Sequence, residues 1–215
     1  AIPLRRTGEN HVFLFGQVNG RRRSCLVDTG WSLATVSTNT AARLKPPGVI
    51  ERLKLGSVVL TNESVAVQDM RINRRPAPYE VVLGCDFLMR HHAVVDCGNN
   101  RLYLRREAPS PEETTQIERR LRQAGWIALD LKRHQPLALT CEVQIYGRTV
   151  TWLVDSGAMW SCLDTKTAES LSLRLTASPN RIRGAGASGQ REMAIADVRG
   201  LQIGGRELRQ LSLAV

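Results

Sequence analysis

Apolar residues fall in a strand-like pattern over Val12–Val18, alternating or running with β-branched and aromatic side chains, and again over Leu139–Ile145. Each stretch ends in a tight-turn signal, Asn19-Gly20 in the first and Tyr146-Gly147 in the second. Return strands follow at Ser24–Val27 and Thr151–Val154, and both run straight into an Asp-x-Gly loop. Between these regions, Pro109-Ser110-Pro111 breaks any regular element, and Pro111-Glu112-Glu113 reads as a helix start. Ile117, Leu121 and Ala124 then recur at helical spacing until Gly125 ends the run, so a linker and a short helix are expected over 107–125.

The two halves are copies. With Asp155 placed on Asp28, an offset of 127 residues, the segments align without a gap from Ile2 to Leu44. Gln17, Gly20 and Arg21 meet Gln144, Gly147 and Arg148. Leu26-Val27-Asp28 meets Leu153-Val154-Asp155, and Gly30 meets Gly157. Thr38, Thr40, Ala41 and Leu44 meet Thr165, Thr167, Ala168 and Leu171. A repeat of this kind means one supersecondary unit used twice. The expected domains are therefore 1–106 and 126–215.

Charge and cysteine content change this picture little. The chain has 215 residues, 42% of them hydrophobic, and a net charge of +10 carried almost wholly by arginine. A diffuse basic surface is the default reading; aromatics for stacking bases are few, and no specific nucleic-acid binding is expected. No apolar run is long enough to span a bilayer. The five cysteines form no Cys-x-x-Cys pattern, and His91-His92 fits no common zinc spacing, so no metal is expected. Cys25, Cys141 and Cys162 read as small core residues. The arginine bias and the Ala1-Ile2-Pro3 start lean towards an exported bacterial protein, with the compartment left open.

A lone Asp-Thr-Gly is a weak motif. Asp28-Thr29-Gly30 and Asp155-Ser156-Gly157, each after Leu-Val and at the same place in a duplicated β-unit, make a strong one. Here the chain resembles the retropepsin-like aspartic proteases. Val81-Val82-Leu83-Gly84-Cys85-Asp86-Phe87-Leu88 looks like that family's second signature, and Ala93–Cys97 with Leu102–Leu104 like its closing strands. The resemblance implies a mostly β protein of two tandem closed β-barrel lobes with short helices, in a pepsin-like pseudo-twofold arrangement. It implies an aspartic endopeptidase acting on peptide or protein substrates without a cofactor. Asp28 and Asp155 would be the catalytic dyad, since two adjacent carboxylates cannot both ionise cheaply and so share a proton. Thr29, Gly30, Ser156 and Gly157 would support it. Asp86 reads as a helix N-cap rather than a third acid.

The copies also differ. Ile182–Gly189 is a glycine-rich candidate for the family's substrate-covering flap, with Gly184, Ala185, Gly186 and Ala187 at its centre. The first copy has only Lys45-Pro46-Pro47-Gly48 there, so its flap is expected to be lost. Leu201–Val215 matches Leu53–Val67, but nothing after it matches Leu83-Gly84; the second lobe reads as cut short or completed from elsewhere. Trp31 stands where the family generally has Ala or Ser; it could line a substrate pocket, seal the lobe interface or obstruct the site, and packing is the favoured reading; Trp160 reads as core. Two alternatives stay open: an inactive peptide-binding or structural module, and a protease active only as a self-associated homodimer of like lobes.

Overall fold

A computed structural model describes all residues except 73–74, 135–136, 178–182 and 187–188. The chain is mostly β and forms two compact units. The first comprises Ala1–Arg120, Lys132–Leu139 and Leu153–Met159; the second comprises Leu121–Leu131, Thr140–Trp152 and Trp160–Val215.

In the first unit the main sheet runs in the order Val58–Ser64, Val49–Leu55, Val12–Val18, Arg21–Val27, Val81–Leu83, Thr35–Ser37, Ala66–Gln68. Asn19 and Gly20 both adopt positive φ, 47° and 80°, which matches the twist of the strands they join. Strand Val12–Val18 buries Val12, Leu14, Gly16 and Val18 and turns Phe13, Phe15 and Gln17 outward, the period-two pattern of a half-buried strand. The buried side packs with Cys25, Val27, Val36, Leu53, Leu55 and Phe87 into one apolar core. Most neighbours are antiparallel, but Val81–Leu83 runs parallel to Cys25–Val27 and antiparallel to Thr35–Val36. That insertion brings residues from the far end of the unit next to the Asp28 loop.

Gly84 shows how tight the fit is. Its φ of −80° suits any residue, yet a Cβ there would lie 2.7 Å from the backbone of Trp31 and Leu33. The helix Cys85–Arg90 follows, capped at Gly84 without a side chain. Asp86 is therefore not the expected N-cap; it sits in the first turn and accepts the Ala34 N–H at 2.5 Å. Arg90 spans Asp86 (3.3 Å) and the buried Glu63 (3.0 Å), and His91 meets Glu63 at 3.0 Å, tying the helix to strand Val58–Ser64. Burial opposes ionisation of Glu63, but His91 and Arg90 hold its carboxyl below the usual range.

The closing strands lie where expected, as Val94–Asp96 and Arg101–Tyr103, the latter paired with Ile2–Pro3. A short hairpin that sequence patterning missed pairs Arg71–Ile72 with Arg75–Pro76. Helix Pro111–Gln123 begins at a reciprocal cap, the Glu113 N–H on Ser110 Oγ (3.2 Å) and the Ser110 N–H on Glu113 (2.9 Å). It ends before Gly125, whose φ is 86°. Among the described residues no helix is long and apolar enough to cross a membrane.

The second unit repeats these elements. Strand Ala138–Ile145 turns through Tyr146 and Gly147, both at positive φ, into Arg148–Leu153. The long hairpin Ala194–Ile203 with Arg206–Ala214 corresponds to Val49–Leu55 with Val58–Ser64. Asp164 caps helix Thr165–Ser170 by accepting the Thr167 N–H at 3.0 Å. Two expectations fail here: Cys162 is exposed, and Trp160 is 43% exposed rather than core. Arg183–Gly186 pairs with Gly189–Glu192 in the expected glycine-rich hairpin; Ile182, Ala187 and Ser188 lie outside the described residues.

The Gly84 contact predicts that Gly84→Ala, conformationally neutral, lowers unfolding free energy by about 2 kcal/mol through forced displacement of the Trp31–Leu33 backbone. Chemical denaturation checks this; a change within ±0.5 kcal/mol would contradict it.

Candidate active site

Strand Arg21–Val27 delivers Asp28 into a turn, where its N–H donates to Leu83 O at 3.2 Å, continuing the parallel pairing. Trp31 N–H then returns to Asp28 O at 3.4 Å. In the second copy the Ala158 N–H returns to Asp155 O, also at 3.4 Å. Each carboxylate accepts the amide two residues on: Gly30 to Asp28 at 2.9 Å, Gly157 to Asp155 at 2.8 Å. The Leu153–Met159 loop belongs to the first unit, which gives both loops one structural frame.

Within that frame the loops clasp one another. Thr29 Oγ1 donates to Val154 O at 2.6 Å and accepts the Ser156 N–H at 2.9 Å. Ser156 Oγ donates to Val27 O at 2.9 Å and accepts the Thr29 N–H at 3.1 Å. Each hydroxyl thus spends its proton and a lone pair on the opposite loop. The glycines are required sterically: neither has a left-handed φ, but a Cβ on Gly30 would collide with the Asp155 carboxyl, and one on Gly157 with that of Asp28.

This packing brings the two carboxyl groups within hydrogen-bonding reach. Asp28 is buried and Asp155 half-buried. Burial first, then the charge of Asp155 and the hydrogen bond to it, push the Asp28 carboxyl from an ordinary 3.8 up to about 7, against the lowering effect of the Gly30 and Trp31 amides. A carboxyl pair that retains a proton near neutrality can both donate and accept one, the requirement for general acid–base chemistry on a bound water.

The Asp28 loop is also held from behind. Cys85 Sγ donates to Thr29 O at 2.9 Å, the Cys85 N–H to Trp31 O at 2.7 Å, and the Asp86 N–H to Ser32 O at 3.1 Å. Trp31 is half-buried; its indole N–H donates to Thr35 Oγ1 at 2.9 Å. Its ring packs with Phe13 and Met70 against Leu26, Tyr79 and Val82. Of these, Phe13, Leu26 and Val82 lie in strands the sequence announced and Trp31 was expected to pack. Tyr79 reaches the cluster through contacts no local pattern announces. Gly184, Ala185 and Gly186 lie in the second-unit hairpin.

Residues 141–215 match the family described as Aspartyl protease. The resemblance to retropepsin-like aspartic proteases is therefore borne out. Among solved structures, the retroviral protease-like domain of Ddi1 from Leishmania major is similar over 45% of this chain and 86% of that one, at 18% identity and a TM-score of 0.36. A retropepsin-like aspartic protease from Rickettsia conorii is similar over 43% of this chain and 80% of that one, at 20% identity and a TM-score of 0.33. No curated protein matches the sequence.

The raised Asp28 value sets the sign of a stability effect. Relative to the unfolded chain, the folded state gains from a protonated Asp28; that gain is complete below about pH 4 and is lost as pH rises towards about 7. Asp28→Asn is therefore expected to be more stable than the parent at pH 8, by on the order of 2–4 kcal/mol, the two converging near pH 4. Urea unfolding across pH checks this, and parallel pH profiles for the two proteins would contradict it.

Proposed function

We propose that the protein is an aspartic endopeptidase in which Asp28 and Asp155 activate a water molecule against a peptide bond. The observation that carries this reading is the contact of two carboxyl groups held by the Thr29–Ser156 clasp, with Asp28 pushed up to about 7. The ionised member of the pair takes a proton from the water as its oxygen bonds to the carbonyl carbon. The protonated member gives its proton to the carbonyl oxygen. Collapse of the tetrahedral species breaks the C–N bond: the departing nitrogen takes the proton held by the pair, one hydroxyl returns its proton to the pair as the carbonyl re-forms, and the products are a carboxylic acid and an amine, with the pair singly protonated again.

In this reading residues 1–106 and 126–215 are tandem lobes joined by 107–125, and Thr29, Gly30, Ser156 and Gly157 keep the dyad rigid. The hairpin carrying Gly184, Ala185, Gly186 and Ala187 serves as the flap, and Trp31 lines the apolar side of the site. The clasp joins the two loops within one chain, which favours a single-chain dyad over a pairing of like lobes from two copies. Packing of Trp31 against Leu26, Tyr79 and Val82 favours a lining role over obstruction.

A diverse peptide library incubated from acidic to neutral pH tests the proposal. Cleavage is expected to fade as pH rises through about 7, and to drop about a thousandfold in Asp28→Asn and Asp155→Asn. Undiminished cleavage by both variants would end the proposal.

A further inference from the structure

The peptide that joins Thr29 to Gly30 touches the Asp28 carboxyl at one end and the helix behind the loop at the other. It is trans, so its C=O and N–H lie in one plane and point in opposite directions. The N–H end, on Gly30, donates to Asp28 Oδ1 at 2.9 Å. The C=O end, on Thr29, accepts the Cys85 thiol, also at 2.9 Å. A tilt of the plane that moves one end moves the other, so thiol and carboxyl are linked through a rigid unit.

The clasp does not supply this hold. It engages the Thr29 N–H, which donates to Ser156 Oγ at 3.1 Å, and the Thr29 hydroxyl, which donates to Val154 O at 2.6 Å. Both lie ahead of the 29–30 peptide, whose carbonyl is met by Cys85. That residue is itself fixed: its side chain is buried, and its N–H donates to Trp31 O at 2.7 Å. Gly84 before it packs on the backbone of Trp31 and Leu33. Burial first, then the charges of Asp28 and Asp86, raise the Cys85 thiol above its ordinary 9.0; Asp155 adds to them and Arg133 opposes. The sulfur therefore keeps its proton, and remains a donor, while Asp28 titrates.

We propose that Cys85 is a positioning residue, whose thiol orients the Thr29–Gly30 peptide so that the Gly30 N–H stays on Asp28 and sets how tightly the carboxyl pair holds its proton. The sign follows from the hydrogen bond. An amide donated to a carboxylate favours the charged form, so losing its alignment leaves Asp28 protonated to higher pH. The same loss strands the Thr29 carbonyl without its donor, which drives the plane to tilt. The remaining groups around this link are Asp155 and the Trp31 amide at Asp28, and Asp86 and Arg133 at Cys85. The variants below leave all four in the sequence. The inference rests on the protease reading only for its consequence in cleavage, an upper pH limit that moves with Asp28.

Full-length protein labelled with carbon-13 at aspartate and nitrogen-15 at glycine reports both ends of the link. Cys85→Ala is expected to move the main step of the Asp28 resonance upward by about 0.5–1 pH unit, the equivalent of one such hydrogen bond, and to weaken the response of the Gly30 amide to that step. Cys85→Ser keeps a donor and is expected to show less than half the alanine shift. Cys85→Val fills the space without donating; it is expected to match alanine, and stands in for it should that protein fail to fold. Cys25→Ala removes a thiol buried in the same core, 3.8 Å from Arg23 O, and is expected to lower stability without moving the Asp28 step.

An Asp28 step that is unmoved or lowered in Cys85→Ala would overturn the proposal, as would an equal rise in Cys85→Ser or in Cys25→Ala. The titration is read without substrate, so a parent protein that cleaves no peptide would sink the protease reading and leave this result standing.

Discussion

The clasp between Thr29 and Ser156 is the constraint on which the site depends. A hydroxyl can donate once and accept twice, and here each one donates to a carbonyl and accepts an amide of the other loop. Each such bond contributes only about 1 kcal/mol net. Their combined effect is positional: with both loops fixed, Gly30 must lie under Asp155 and Gly157 under Asp28. Two carboxyl groups that would otherwise separate into water are held together, and burial with the neighbouring Asp155 charge raises the Asp28 carboxyl. The sheet, the core and the helix behind the loop act together to keep this contact closed.

The pair is nevertheless unequal, and the inequality traces to what lies behind each loop. Asp28 is backed by Val81–Leu83, Gly84 and the helix Cys85–Arg90, whose backbone and thiol donate into residues 29–32. Among the described residues, Asp155 has no counterpart to that support; its loop is held by the clasp and by the Val154 N–H on Leu139 O at 2.8 Å. Asp28, enclosed in this way, is pushed up to about 7, first by burial and then by the charge of Asp155.

Much of this was legible in the sequence because duplication turns a weak local signal into a positional one. The strand Val12–Val18, its Asn19-Gly20 turn and the strand-to-Asp junction depend on residues close in the chain, where periodicity and turn chemistry suffice. The second signature at Val81–Leu88 also fell where its pattern placed it. What escaped depends on distant contacts. Asp86 has an N-cap's composition, but Gly84 must pack on the Trp31–Leu33 backbone, which moves the helix start and turns Asp86 towards Ala34. Trp160 and Cys162 read as core by residue type, yet both are exposed, because burial is decided by what lies opposite and not by residue type. The basic outward face was diffuse in the sequence; strand pairing gathers Arg5 and Arg22 at the Phe15 ring.

The most direct test of the shared proton is an NMR titration of side-chain carboxyl carbons in protein labelled with carbon-13 at aspartate, assigned by Asp28→Asn and Asp155→Asn. The account predicts an Asp28 resonance whose main step lies near pH 7, and which responds when Asp155 is replaced. An Asp28 resonance that titrates near pH 4, and is indifferent to the Asp155 replacement, would contradict it.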